Sequence, residues 1–170
     1  MPEGANPLPH PDLRIRSAGE DDVAAVTRLI NAAFIVEASF IGGDRIDADG
    51  VLSYMAKGKF LLAELAADDA STLAGCVFCE LRSDRGYVGL LSVDPARQGQ
   101  GLGRLLMTHA ENYFRSKNCQ AIDLRIISER TELPSFYRHH GYTDAGTAPF
   151  PPDVQTKVPC HFILMSKALR

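Results

Sequence analysis

The stretch from Tyr87 to Arg104, YVGLLSVDPARQGQGLGR, decides the fold. It contains an apolar run, a turn marked by Pro95, a glycine-rich loop and the start of an amphipathic helix. Backbone N–H groups in the first turn of a helix lack intrahelical partners, and the helix dipole is positive there, so helix starts bind anions. Glycines let such a backbone approach a phosphate without an intervening Cβ. The segment therefore predicts a cradle for a pyrophosphate group at the beginning of a helix.

The spacing of the glycines distinguishes three kinds of phosphate-binding loop. A P-loop requires Lys and then Ser or Thr after its last glycine, whereas Arg104 and Leu105 follow here. A dinucleotide-binding turn requires G-x-G-x-x-G, and counting from either Gly99 or Gly101 places no third glycine correctly. The pattern Q/R-x-x-G-x-G/A, entered from a strand ending in V-D-P, fits fully at 98–103. In this composite pattern the chain resembles the GNAT superfamily of acetyl-CoA-dependent N-acetyltransferases.

A second block, FYRHHGY at 136–142, strengthens the resemblance. GNAT enzymes commonly carry N-x-x-A-x-x-L/F-Y-x-x-x-G-F/Y after the fifth strand, and this chain matches at Phe136, Tyr137, Gly141 and Tyr142. It departs from that pattern at two positions, because Arg130 stands where asparagine is usual and Leu133 where alanine is usual. The role of that asparagine is therefore not transferred to Arg130.

Hydrophobic periodicity supplies the remaining elements. Ser17-x-x-Glu20 predicts a capping box at the start of the first helix, and Asp68-Asp69 predicts the turn of a hairpin. The predicted strands are 13–16, 59–65, 73–81, 87–93, 121–127 and 161–166, and the resemblance implies a further, weak strand from 142. The predicted helices are 20–34, 48–56, one from the glycine loop to Asn118, and 133–139. The order β-α-α-β-β-β-α-β-α-β-β predicts an α/β (α+β) protein. The resemblance implies a GNAT-like mixed sheet with helices on both faces.

Length and composition predict one domain. The 170 residues are 45% hydrophobic, which suits a single core. Residues 1–12 are polar and proline-rich, so we expect a disordered tail there and a single GNAT-like domain over 13–170. The net charge of −3 argues against a nucleic acid partner. No apolar run approaches the ~20 residues of a membrane span and no signal-like segment is present, which predicts a cytoplasmic protein.

The four cysteines are expected to be reduced thiols. Cys76 and Cys79 form a C-x-x-C motif, but the motif lies in an apolar run that is typical of a strand. Residues three apart on a strand point to opposite faces, so this pair is unsuited to one metal ion or one disulfide. No second C-x-x-C completes a zinc site. We therefore expect no metal cofactor.

The resemblance implies acetyl-CoA as cosubstrate and direct transfer of its acetyl group. The backbone N–H of Val93 would stabilise the tetrahedral oxyanion. Tyr137 would be the general acid for the leaving thiolate, because a phenol with a reference pKa of ~10 is a neutral donor beside a thiol of ~8.5. The general base is open among Glu80, Glu37, the His139–His140 pair and a water chain. The two histidines are predicted at a helix C-terminus, which favours a protonated imidazole.

The cosubstrate's other contacts follow from the same resemblance. The pantetheine arm would pair with the backbone of Leu91 and Val93, as an added strand does. The remaining predicted cofactor-binding residues are the side chains of Leu133 and Phe136, against the pantetheine, and the pyrophosphate loop Gln98, Gly99, Gln100, Gly101, Leu102, Gly103 and Arg104.

The acceptor site is predicted between the first helix with its following loop and the last hairpin. Phe34 and Glu37 belong to the first region, and the proline-rich loop at 148–160 belongs to the second. Glu37 is suited to attract a cationic amine. The resulting hypothesis is an N-acetyltransferase, monomeric or homodimeric, acting on a primary amine of a small molecule, protein or peptide. The alternative is a non-catalytic CoA-binding GNAT-fold sensor or scaffold.

Overall fold

The computed structural model describes residues 12–67 and 70–170. Within these ranges the chain forms seven strands and four α-helices in the predicted order, with ends shifted by a few residues. The elements are β1 Leu13–Ser17, α1 Val23–Ala33, α2 Ala48–Lys57, β2 Lys59–Ala67, β3 Ala70–Arg82, β4 Arg85–Val93, α3 Leu102–Ser116, β5 Ala121–Ile127, α4 Leu133–His139, β6 Thr143–Pro149 and β7 His161–Ala168.

The strands form one mixed sheet in the order β1-β2-β3-β4-β5-β7-β6, in which only β4 and β5 are parallel neighbours. One apolar cluster joins α3 and α4 to one face of the sheet, and a second joins α1 and α2 to the other. Cys79 lies in the first cluster and Cys76 in the second, as expected for residues three apart on a strand. In the part of the chain that the structure describes, no helix is long and apolar enough to cross a bilayer.

The central parallel pair is short. β4 and β5 pair only where Arg85–Tyr87 meets Ala121–Asp123, and beyond Tyr87 the two strands separate. At the closed end, Arg85 donates to both carboxylate oxygens of Asp123 at 2.7 and 2.6 Å and to Ser166 Oγ at 2.9 Å. The sheet therefore opens at a defined point near its centre.

A β-bulge lies in β4 beside the opening. Cys76 pairs with Ser92 and Phe78 with Gly89, so Leu90 and Leu91 together oppose the single residue between. Leu90 takes a φ of 52°, a left-handed conformation that is strained for a leucine. The Ser92 hydroxyl donates to the Leu90 carbonyl at 2.9 Å. This hydrogen bond helps to hold the strained residue in place.

Two details of the N-terminal part differ from expectation or fall outside the description. The predicted Ser17–Glu20 capping box is wrong, because β1 extends to Ser17 and the Asp22 carboxylate instead accepts from the backbone N–H of Gly19 at 2.7 Å. Most of the predicted tail, residues 1–11, lies outside the described residues, as does the predicted Asp68–Asp69 turn.

Candidate active site

A cavity of about 450 Å³ lies where β4 and β5 separate. Leu133 and Tyr137 line it and belong to the cluster on the α3 side of the sheet. Phe34 and Tyr54 also line it and belong to the cluster on the α1 side. The cavity therefore connects the two faces of the sheet through the gap between the strands.

The glycine-rich loop supplies a row of available N–H groups. Gly99 and Gly101 have φ angles of 81° and 79°, which favour glycine, and nothing lies within 4 Å of a Cβ added at either. Leu105 N–H donates to Gly101 O at 3.0 Å. Among residues 12–67 and 70–170, no hydrogen bond joins the seven N–H groups of 98–104 to a protein acceptor. These donors, at the positive end of α3, suit a phosphate-bearing ligand.

The edge of β4 that faces the cavity offers backbone groups as well. Asp94 N–H donates to Ala74 O on β3 at 2.8 Å. N–H groups alternate between the two edges of an antiparallel strand, so that of Val93 points away from β3. β5 has already diverged there, so this edge is open. It is the edge at which the resemblance places the pantetheine arm and the oxyanion.

Tyr137 lies at the α3 side of the cavity and is only 7% exposed. Burial raises the pKa of its hydroxyl, so the phenol is neutral at physiological pH. In the described chain this hydroxyl makes no hydrogen bond, which leaves its proton available. Leu133 lines the same cavity, whereas Phe136 packs beneath the glycine loop, 3.6 Å from a Cβ added at Gly103.

Glu37 is buried in the cavity wall, with 7% of its surface exposed. Its Oε1 accepts from Arg130 Nη1 at 3.0 Å, and Arg130 Nε donates to Glu132 at 2.6 Å. Burial raises the pKa of Glu37, and the Arg130 charge opposes this rise. The ion pair places a carboxylate and a guanidinium side by side in the cavity. The sequence did mark Arg130, because it stands where asparagine is usual. It did not indicate that Glu37 would be its partner.

The other candidates for the base are placed differently. Glu80 forms an ion pair with Arg82 at 2.9 Å and does not line the cavity. The predicted protonation of His140 is wrong, because burial lowers the pKa of this imidazole and the Arg104 charge lowers it further. Its ring packs edge-on against Phe136, with centroids 4.5 Å apart. Among the proposed protein bases, Glu37 alone lines the cavity within the described residues.

A strap formed by residues 150–160, between β6 and β7, closes the α1 side of the cavity. Ile41 and Thr156 form an isolated antiparallel bridge. Lys157 adds two hydrogen bonds, from its N–H to Phe40 O at 2.7 Å and from Nζ to Ala38 O at 2.8 Å. The predicted acceptor regions are thus in contact, and Phe34 and Glu37 both line the enclosed space.

Two further arginines in the cavity wall were not found from the sequence. The Arg45 guanidinium lies 5.4 Å from the Phe34 ring centroid, and that of Arg125 lies 4.4 Å from the Phe162 centroid. Both arginines line the cavity, although they come from a loop and from β5. No local pattern marks them, because their proximity depends on the tertiary fold.

Comparison with known proteins identifies the family and agrees with the fold. The model of the acetyltransferase (GNAT) family matches residues 25–142, more than half of the chain. The chain belongs to the GNAT acetyltransferase family. The structure of yncA from Salmonella typhimurium, a putative acetyltransferase solved with its cofactor acetyl-CoA, superposes with a TM-score of 0.73 at 23% identity, covering 94% of this chain and 95% of that one.

Two curated relatives are similar in sequence. A mycothiol acetyltransferase from Propionibacterium freudenreichii subsp. shermanii is 29% identical over 162 residues, covering 89% of this chain and 48% of that protein. An amino-acid acetyltransferase from Mycobacterium tuberculosis is 26% identical over 141 residues, covering 82% and 74% respectively. The chain thus spans about half the length of the mycothiol acetyltransferase.

Proposed function

We propose that this protein transfers the acetyl group of acetyl-CoA to a primary amine of a small molecule or peptide. The observation that carries the proposal is the row of available N–H groups at 98–104 together with a cavity between two separated strands. Residues 98–104 do not line the cavity, but Leu91, which does, lies 3.9 Å from a Cβ added at Gly103. Membership of the GNAT family supports the same activity. The names of the relatives favour a small-molecule acceptor, and a cavity of about 450 Å³ has a suitable volume.

Acetyl-CoA would extend from the glycine loop into the gap. The N–H groups of 98–104 would bind its pyrophosphate, with Arg104 beside them. The backbone groups of Leu91 and Val93 would pair with the pantetheine amides, so the pantetheine arm would take the place of a neighbouring strand. Leu133 and Phe136 would flank the arm with apolar surface.

The transfer forms a C–N bond and breaks the C–S bond of the thioester. A neutral amine attacks the carbonyl carbon, and the N–H of Val93 donates to the developing oxyanion. Tyr137 then gives its proton to the leaving thiolate, so CoA departs as a thiol, and the proton that the attached nitrogen loses as it becomes an amide restores the phenol. Glu37 holds the incoming ammonium and takes its proton, because it is the base candidate that lines the cavity.

We assign residues 13–170 to one catalytic domain and place it in the cytoplasm. The family match spans 25–142, and β6 and β7 continue the same sheet beyond that range. The negative net charge disfavours nucleic acid as acceptor. The choice between monomer and homodimer is testable by light scattering on the purified protein.

Calorimetric titration of acetyl-CoA tests the proposal. We compare the unmodified protein with Gly101→Glu and with Gly146→Glu as a matched control. Both glycines have a positive φ and no atom within 4 Å of an added Cβ, and Gly146 lies in β6 away from the loop. Its φ of 117° makes a side chain more strained there than at Gly101, so normal binding by this variant is a stringent control. We expect Gly101→Glu to weaken binding by about 100-fold and Gly146→Glu to bind normally.

An amine screen by thiol release follows the titration. Turnover with at least one primary amine supports the enzyme, and saturable binding without turnover of any amine favours a CoA-binding sensor or scaffold. Absence of acetyl-CoA binding by the unmodified protein would contradict both the enzyme and the CoA-binding alternative.

A further inference from the structure

The cavity is lined by more positively charged than negatively charged side chains. Five charged residues line it and leave one net positive charge: Glu37, Asp44, Arg45, Arg125 and Arg130. The α1 side of the cavity is therefore suited to an acceptor that brings a negative group of its own.

Arg130 is already satisfied by protein carboxylates. It pairs with Glu37 at 3.0 Å and with Glu132 at 2.6 Å. Arg45 and Arg125 differ, because among residues 12–67 and 70–170 neither has a carboxylate oxygen within 4.0 Å. Two guanidinium groups thus line the cavity without a carboxylate in direct contact, although the Arg45 charge lies near enough to Glu37 to oppose the rise in the pKa of that carboxyl.

Aromatic rings hold these two guanidinium groups without cancelling their charge. Arg45 lies 5.4 Å from the centroid of Phe34, and Arg125 lies 4.4 Å from that of Phe162. Phe162 is itself packed against Phe150, with centroids 4.1 Å apart. A guanidinium held near a ring face uses none of its N–H groups in that contact, and its N–H edge matches the two oxygens of a carboxylate.

We propose that the acceptor is a small zwitterionic amine whose carboxylate binds Arg45 and Arg125, an inference that rests on the proposed acetyl transfer. Its amine lies toward Glu37, so each end of the acceptor meets the opposite charge. A carboxylate fits better than a phosphate dianion, because Glu37 and Asp44 in the same wall repel a second negative charge.

The same rings predict the remainder of the acceptor. Phe34, Phe150 and Phe162 all line the cavity beside the two arginines. Aromatic walls favour an apolar substituent, so we infer an α-amino acid with an apolar side chain as the substrate class.

Three matched amines test the inference: L-phenylalanine, L-phenylalaninamide, which lacks the carboxylate charge, and phenethylamine, which lacks the carboxyl group. The kcat/KM ratio of acid to amide is measured for the unmodified protein and for Arg45→Gln and Arg125→Gln. We expect each substitution to lower this ratio by about 10- to 100-fold with acetyl-CoA affinity unchanged. The amine groups of the acid and the amide differ in basicity, but this difference is the same for every protein. It therefore cancels when the acid-to-amide ratio of a variant is compared with that of the unmodified protein.

Arg28→Gln is the matched control, because Arg28 is exposed, has no ion pair in the described chain and does not line the cavity. It should leave the ratio unchanged. An equal fall in Arg28→Gln overturns the inference, since it would then reflect overall charge. An unchanged ratio in both Arg45→Gln and Arg125→Gln overturns it as well.

Binding separates failure of this inference from failure of the proposed activity. L-Phenylalanine and L-phenylalaninamide are titrated calorimetrically into the protein saturated with CoA. Preferential binding of the acid that is lost in Arg125→Gln supports the carboxylate site even if no amine is acetylated, in which case only the transfer proposal fails. Acid and amide binding with equal affinity, or neither binding, overturns the carboxylate site.

Discussion

Tyr137 is buried, its hydroxyl is neutral, and it lines the cavity in which the thioester would react. Tyr137→Phe removes the proton donor and leaves the ring. We expect kcat to fall by about 100-fold while the dissociation constant of acetyl-CoA stays unchanged, because the acid acts on the leaving group. Steady-state thiol release and calorimetry measure the two quantities. An unchanged kcat would remove Tyr137 from the mechanism.

Tyr142→Phe provides the companion measurement. Tyr142 is 1% exposed, and its ring lies 5.7 Å from that of Tyr137, but within the described chain its buried hydroxyl has no hydrogen-bond partner. Removing an unsatisfied buried hydroxyl should raise the free energy of unfolding by about 1 kcal/mol. Urea denaturation measures that gain, and turnover should be unaffected. Loss of turnover in Tyr142→Phe would contradict the assignment of the proton donor to Tyr137 alone.

Glu37 predicts the pH dependence of the reaction. Burial raises the pKa of this carboxyl above its ordinary value, so it becomes protonated at a higher pH than a solvated glutamate. Only the ionised form accepts a proton, so kcat/KM should fall as the pH drops through the raised pKa. Glu37→Gln should be slow at every pH and lack this acidic limb. A pH–rate profile that keeps the same limb in Glu37→Gln would assign it to another group.

At the scale of a single element, the bulge in β4 depends on the hydrogen bond between Ser92 and Leu90. Ser92→Ala deletes the hydroxyl that donates to the Leu90 carbonyl, and should lower the free energy of unfolding by about 1 kcal/mol. Turnover should fall as well, because Val93 follows directly and its N–H direction depends on the local backbone. Denaturant unfolding and kcat are measured together. Ser116→Ala is the control, since its hydroxyl donates to Tyr113 O at an exposed helix end.

Local pattern accounts for most of the elements and for the glycine loop. The 3.6-residue and two-residue periods located most of the helices and strands of the described ranges, since these periods reflect which face of each element is buried. β6 is the exception: it is exposed along most of its length, so its alternation is poor and its prediction depended on the family resemblance. The loop was predictable because its glycines, the preceding turn and the helix start are contiguous. The capping box failed because β1 continued through Ser17, so the helical turn begins two residues later, where Gly19 N–H donates to Asp22.

Tertiary contacts account for what the sequence did not predict. Glu37 and Arg130 are 93 residues apart, and their ion pair exists only because the loop after α1 and the start of α4 meet at the gap. His140 was assigned from its helix end, but packing against Phe136 removes it from water and reverses the expected pKa direction. Long-range burial overrode the local electrostatic argument in this case.

At the scale of the whole molecule, the strap ties the β6–β7 connection to the loop after α1, on the side of the cavity where we place the acceptor. Lys157→Met removes the Nζ hydrogen bond to Ala38 O that ties residues 150–160 to the loop after α1. We expect KM for the amine to rise by about threefold, with acetyl-CoA affinity unchanged, because only the acceptor wall loosens. Kinetics with the amine varied provide the measurement. Lys117→Met, on the surface near Tyr113, should behave as the unmodified protein.

The open edge of β4 also has a consequence for amide hydrogen exchange. Val93 and Asp94 are neighbours, but the N–H of Asp94 is bonded to β3 whereas that of Val93 faces the gap. In the empty protein the Val93 amide should therefore exchange with deuterium much faster than the Asp94 amide. A bound pantetheine arm would act as the missing strand and slow Val93 selectively. Two adjacent amides thus form a built-in reporter of whether the gap is filled, readable by NMR without any acceptor.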